Sequence, residues 1–330
     1  MDTHLHRNEQ MEQETLRKID IAATSLYGEG IPADVQDRIA VEKQHIINNG
    51  HGTTLAVAAK LAEYSTEHGY PVGIRGLVGN LYLAYLLGIA VNDPLDLGLP
   101  WAGCLGPDGT RMQPITFNVA PEVLDDMTAY LTELLPGYDP ADYPTIKLCP
   151  HELMGLVGQA RQQSGVVPRT DDIFAPELIA MAYHVDVSSI PVLSDLTGLA
   201  AFARTLEPRN FLDLVKLMGL CLSDGIWFQL DYPTSDGADL FADLIGTRED
   251  VYDILARYGI GEDDAFRVMQ QVRGGYGKLT EKYKKILESN KKLPGVVLET
   301  LKSVDYLYPR GQCADYIYWV LMLLWYQGQA

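Results

Sequence analysis

From Gly69 to Ile89 the chain reads GYPVGIRGLVGNLYLAYLLGI: β-forming residues, then glycines at 73, 76 and 79 around a single arginine, then an apolar helical pattern. A strand, a glycine turn and a helix N-terminus in that order let backbone N–H groups and a guanidinium converge on a phosphate. Gly73, Arg75, Gly76 and Gly79 are therefore the first candidate phosphate- or nucleotide-binding residues. Ile74, Leu77 and Asn80 stand where small hydroxyl donors would serve such a site. The turn reads also as a strand-to-helix connection whose glycines the fold itself requires.

Working outward, Glu14–Asn48 has helical periodicity, with Val35, Ile39, Ile46 and Ile47 near one face and Asn49-Gly50 as the stop. TTLAVAAKLAEYSTEHG predicts a second helix ending at Gly69, and YPVGI a short strand. The apolar helix is expected to run to Ala90, followed by a loop over NDPLDLGLPWAGCLGPDGT. RMQPITFNV alternates like a strand, with Pro114 confining it to an edge or a strand start. Helices are predicted over Pro121–Leu135 and His151–Gln163, separated by a Pro/Asp-rich link through Tyr143. LIAMAYHV reads as a buried strand, and after Leu199 nearly everything is helical. The fold class is α+β, mostly helical: a half with a small mixed sheet, then a helical half joined near Gly198.

The chain has 330 residues, 47% of them hydrophobic, enough for one large or two ordinary domains. A formal charge of −18 argues against a whole-surface grip on nucleic acid, whose binding draws on counterion release against Lys and Arg. Charge is uneven, however. Arg267, Arg273, Lys278, Lys282, Lys284, Lys285, Lys291 and Lys292 face only Glu281 and Glu288 in the same stretch, a candidate nucleic-acid contact or a solvated helix face. Cys104, Cys149, Cys221 and Cys313 lie far apart with no C-x-x-C pair, so neither a zinc ribbon nor a disulfide framework is expected. The N-terminus lacks a secretory apolar region, and the apolar runs Leu81–Val91 and Tyr316–Tyr326 are about half the length a membrane span needs. The expectation is a cytoplasmic protein without a membrane partner.

The segments IPADVQDRIAVEKQHIINNGHG and HGYPVGIRGLVGNLYLAYLLGIAVNDPL resemble the PolC-type alpha subunit of bacterial DNA polymerase III, the C-family replicative polymerase. In that family a G-S-R-G-S-x-G-S turn after GY-x-V binds the triphosphate of the incoming nucleotide. Here the glycines and Arg75 keep that frame without the serines. LEPRNFLDLVKLMGLCLSDGIW, DLIGTREDVYDILARYGIGEDDAFRVMQQVRGGYG and YLYPRGQCADYIYWVLMLLWY are similar to the family's fingers, with Arg310 and Gln312 at places held there by lysine and histidine. The resemblance covers about residues 25–118 and 175–327. It implies a palm-and-fingers core: a disordered 1–13, a palm-like 14–119, reduced thumb-like helices over 120–165, a palm-like return strand within 166–199 and a fingers-like 200–330. Exonuclease, PHP, OB and helix-hairpin-helix segments of the family find no counterpart.

Polymerases of this kind need three carboxylates on palm strands to hold two Mg²⁺ ions. The resemblance implies that Pro114 and Thr116 of QPITFNV, and Ala180 of LIAMAY, occupy the three aspartate places. No Asp or Glu lies within Arg111–Ala120 or Leu178–Val185. The expectation is a catalytically inactive relative, without cofactor, that binds nucleic acid or a replication protein. A second reading is a nucleotidyltransferase or nucleotide hydrolase whose Mg²⁺ is held by relocated acids, Asp171, Asp172 or Asp186. A third is a structural subunit that associates, with a second copy or a partner, through an open face of the C-terminal helix. His151 and His184 are read as half-buried, Cys149 and Cys221 as core, and Arg310 as facing nucleotide or serving a structural hydrogen bond.

Overall fold

The computed structural model describes residues 7–28, 30–137, 145–184, 206–231 and 241–329. They form a mostly helical α+β protein with one three-stranded mixed sheet. The chain divides into two compact units, residues 1–169 with 318–330, and residues 170–317.

In the first unit, α1 (Glu9–Tyr27) starts at Asn8, whose side chain accepts from the Met11 N–H, and stops at Gly28. Helix therefore begins within the N-terminal stretch expected to be disordered, because Asn8 caps it and acids fill its first turn. α2 (Ala33–Asn48) buries Val35, Ile39, Glu42 and Ile46 at helical spacing. α3 (Gly52–Glu67) is buried on most sides, including Leu55–Ala59, and so lies within the core.

β1 (Val72–Arg75) pairs antiparallel with the central β2 (Ile115–Val119), and β2 pairs parallel with β3 (Ile146–Pro150). Between β1 and β2 lie two short helices, α4 (Tyr82–Leu86) and α5 (Ala102–Leu105). Gly88 takes a positive φ soon after α4, so the helix expected to reach Ala90 is shorter. A parallel pair needs a crossover, supplied by α6 (Pro121–Leu134), with Pro121 at its first position. α7 (Glu152–Ser164) follows β3 and ends at Gly165 in the left-handed conformation.

Side chains alternate across the sheet. Val72, Ile74, Ile115, Phe117, Val119 and Ile146 are buried and lie on one face. The opposite face carries Gly73, Arg75, Thr116, Asn118, Lys147 and Cys149.

In the second unit, a four-residue helical turn (Thr170–Ile173) precedes α9 (Pro176–His184); with that turn as α8, the strand expected over 178–185 is corrected through His184 to helix. Proline at the first helical position, acid in the first turn and Leu, Ala and Met as good helix formers outweigh the apolar run that suggested a strand. The remaining helices of this unit are Phe211–Leu222, Arg248–Arg257, Glu262–Val272, Glu281–Ser289 and Gly295–Ser303. The first packs backbone to backbone on the turn before the second: a Cβ on Gly246 would meet the Lys216 carbonyl oxygen at 2.1 Å. The last helix, Arg310–Gln329, has residues 310–317 in this unit and residues 318–329 in the first. Its residues Cys313, Ala314, Ile317 and Trp319–Leu324 are buried, so these side chains do not form the open apolar face that the third reading required.

Candidate functional site

The glycine turn forms as its sequence requires, with Gly76 at φ +76° and a single 3-10 turn, Val78–Asn80, leading to α4. Ile74, Leu77 and Val78 are buried in the core, and Gly79 is buried with them. Asn80 is fully buried and donates through Nδ2 to the Pro100 carbonyl at 3.0 Å. The N–H groups that open α4 already have an anion: Tyr82 and Leu83 each donate to the Glu42 carboxylate at 3.0 Å. Arg38 donates to Glu42 at 2.5 Å and, through Nη2, to the carbonyls of Asn80 at 2.6 Å and Leu99 at 2.9 Å. Burial pushes the Glu42 carboxyl up, while Arg38 and the two N–H groups pull it back. Neither Arg38 nor Glu42 was singled out by sequence. The buried Glu42 on an otherwise apolar stripe of α2 was the signal that could have found it.

On the polar face of the sheet, Thr116 lies opposite Arg75 on one side and Lys147 on the other. Asn118 lies opposite Gly73 and Cys149, and its Oδ1 accepts from Arg75 Nε at 2.5 Å. Thr116 is half-buried and Arg75 and Lys147 are exposed. Pro114 precedes the strand and is exposed, two residues from Thr116. Ala180 belongs to α9 and to no strand, so the strand neighbours of Thr116 are two cations instead. β3 was missed by sequence because it is short, ends in Pro150 and follows a Pro/Asp-rich link, although Ile146 and Leu148 alternate as in a strand. None of the three strands carries an Asp or Glu. The donors on this face, a hydroxyl, an amide, a thiol and two fixed cations, do not fit a hard divalent ion that wants several anionic oxygens. His151 follows β3, donates its backbone N–H to Val119 at 2.8 Å, and has a ring pKa lowered by burial and then by Arg75.

Arg310 is buried in the second unit within an ionic network. Its Nη2 donates to Asp250 at 3.0 Å and to Asp253 at 2.5 Å, and its backbone N–H to Glu249 at 2.7 Å. Burial works against its charge, and Asp250, Asp253 and Glu249 more than restore it. Asp250 is fully buried; its other oxygen accepts from the N–H groups of Gly246 and Thr247 and from the Thr247 hydroxyl. Burial raises its pKa, but Lys216, Arg310 and these donors win, leaving it below the ordinary carboxylate value. Arg310 thus holds together the start of two helices. Gln312, beside it in sequence, is half-buried.

The basic stripe is sorted by its partners. Lys282 pairs with Asp264 and Lys284 with Glu281, both at 2.8 Å, and Arg273 is half-buried. Arg267, Lys278, Lys285, Lys291 and Lys292 are exposed and carry no ion pair among the described residues.

Asp171 is exposed and Asp172 half-buried on α8, while Asp186 and the His184 side chain lie outside the described residues. Among the described residues, no group of three or more His, Cys, Asp or Glu is placed to hold a metal ion. All four cysteines are free, and burial pushes the Cys221 thiol up to about 12. No described helix is long and apolar enough to cross a membrane.

This assembly of strand, glycine turn and helix falls in a stretch that comparison assigns to a polymerase domain. Residues 12–137 match the model of the bacterial DNA polymerase III alpha NTPase domain. Across nearly the whole chain, the similarity is to PolC-type DNA polymerase III. The protein of Clostridium perfringens is 23% identical over 97% of this chain, that of Thermotoga maritima 21% over 89%, and that of Ureaplasma parvum 19% over 97%. The chain is a PolC-like relative of these polymerases. It spans about a third, 32%, of the length of each of those three.

Proposed function

We propose that this chain is a replication-associated relative of the PolC-type polymerase that binds nucleic acid and does not carry out two-metal nucleotidyl transfer. One observation supports the reading above the rest: none of the three strands carries an Asp or Glu, and Thr116, which the resemblance sets at an aspartate place, lies between Arg75 and Lys147. Two Mg²⁺ ions require anionic oxygen ligands from the protein, and fixed positive charges on both sides of a candidate ligand oppose them. The nucleic-acid part of the proposal rests on Arg267, Lys278, Lys285, Lys291 and Lys292, exposed and without an ion pair among the described residues.

Two measurements test it. Primer extension with Mg²⁺ or Mn²⁺ is expected to give no product above buffer, and extension that survives purification to homogeneity sinks the proposal. Binding to a primer–template duplex is expected to weaken with salt, and charge reversal at Lys278, Lys285, Lys291 and Lys292 to flatten that dependence. Unaltered affinity and salt slope in the reversed protein refute the assigned surface.

A further inference from the structure

We propose that Arg248 and Arg273, in the second unit, hold a buried halide: a small, singly charged anion of the chloride class.

Both arginines are fastened to neighbouring residues of one short connection. The Leu307 N–H donates to the Arg273 carbonyl at 2.9 Å, and the Arg248 N–H donates to the Tyr308 carbonyl at 3.0 Å. Arg248 has no exposed surface, yet of its side-chain nitrogens only Nε has a partner, Glu249 at 2.6 Å. Nη1 and Nη2 are buried and make no hydrogen bond. Every donor of those two nitrogens is therefore unmet, and an unmet buried donor is most costly on a charged group. Glu249 does not close the gap, because its other oxygen accepts from the Arg310 N–H at 2.7 Å. Arg273 is half-buried, and its side chain makes no hydrogen bond or ion pair among the described residues. Burial and then Arg248 lower its pKa, with Tyr306 and Glu249 opposing, so the two guanidinium charges act on each other.

Desolvation selects the occupant. The Nη atoms of Arg248 are closed to solvent, which excludes a polymer backbone or a polyphosphate. A monatomic ion of single charge is cheaper to strip of water and accepts N–H donors from several directions. Half-buried Arg273 provides its way in from solvent and the second cation that it neutralises.

The full chain is melted at fixed ionic strength while sodium chloride replaces sodium gluconate, whose anion is too large to enter. The wild-type Tm is expected to rise and saturate with chloride, by about 3 °C or more, and to do the same with bromide. Arg273→Gln and Arg248→Met are expected to lose that rise, and a variant with Lys291 and Lys292 changed to glutamine to keep it. Crystals grown in sodium bromide are expected to show an anomalous peak within hydrogen-bond reach of the Arg248 Nη atoms. If Arg248→Met does not fold, the Arg273→Gln melts and the bromide peak decide. The proposal is overturned if the wild type melts alike in chloride and gluconate, if Arg273→Gln keeps the full rise, or if no bromide lies against Arg248. A variant-sensitive rise that phosphate gives and chloride does not overturns it equally.

Discussion

Replacing Asp250 with asparagine strikes the most heavily committed carboxylate of the second unit. One Asp250 oxygen accepts from two backbone N–H groups and a hydroxyl, at 3.0, 2.6 and 2.9 Å. The other faces Arg310 Nη2 at 3.0 Å and Lys216 Nζ at 3.4 Å. Asparagine has one acceptor oxygen, so its NH₂ must point at donors or at cations, and either way a buried contact becomes repulsive. Breaking a buried ion pair by removing one partner costs about 3–5 kcal/mol. For a unit of this size that is a fall in Tm of about 6–20 °C. Asp250 has its folded pKa depressed, so its stabilisation is present above the ordinary carboxylate pKa and is lost as pH falls through the lower, folded value. The wild type and Asp250→Asn should therefore differ widely at neutral pH and converge in strong acid. Calorimetric melts of both proteins across that range provide the measurement. A fall of under 2 °C at neutral pH, or a gap that persists unchanged in acid, refutes the reasoning.

Gly76→Ala meets no neighbouring atom, so only the backbone at φ +76° resists it. The expected cost is about 1–2 kcal/mol, read as a shift in urea midpoint, and an unchanged midpoint means the turn does not hold that conformation. Arg310→Lys replaces a fork that joins Asp250 and Asp253 with a point charge, and should cost about 1.5–3 kcal/mol in the same assay. Equal stability would show that the fork geometry is immaterial. Thr116→Asp places a carboxylate between Arg75 and Lys147, and is expected to gain no thermal stabilisation from Mg²⁺. A clear upward shift in Tm on adding Mg²⁺ to that variant contradicts the dominance of the two cations on this face.

Where local pattern and tertiary role agree, the sequence was readable. The helical character of residues 14–67, though not the break after Tyr27 or the start at Glu9, the strand–turn at 72–76 and the helix after Pro121 follow from periodicity, caps and glycine conformation. Pro114 was expected to confine its segment to an edge or a strand start; β2 is the central strand, and Pro114 immediately precedes it. The failures are non-local. LIAMAY has an apolar run compatible with either strand or helix, and its proline and acid at the N-terminus decide for helix. β3 is stabilised as a strand by pairing with β2, which no local window contains. The same omission hid Lys147, a residue of no sequence distinction that acquires meaning only when register sets it beside Thr116. Arg310 was flagged for its position, but its three acidic partners lie 57–61 residues earlier in the chain.

The contact between Glu42 and the first N–H groups of α4 bears on what keeps this connection ordered. A loop that relies on a diffusible anion to neutralise its exposed dipoles is ordered only when that molecule is abundant. Here the counter-charge is tethered forty residues upstream, within the same chain, so these N–H groups are neutralised without any diffusible partner.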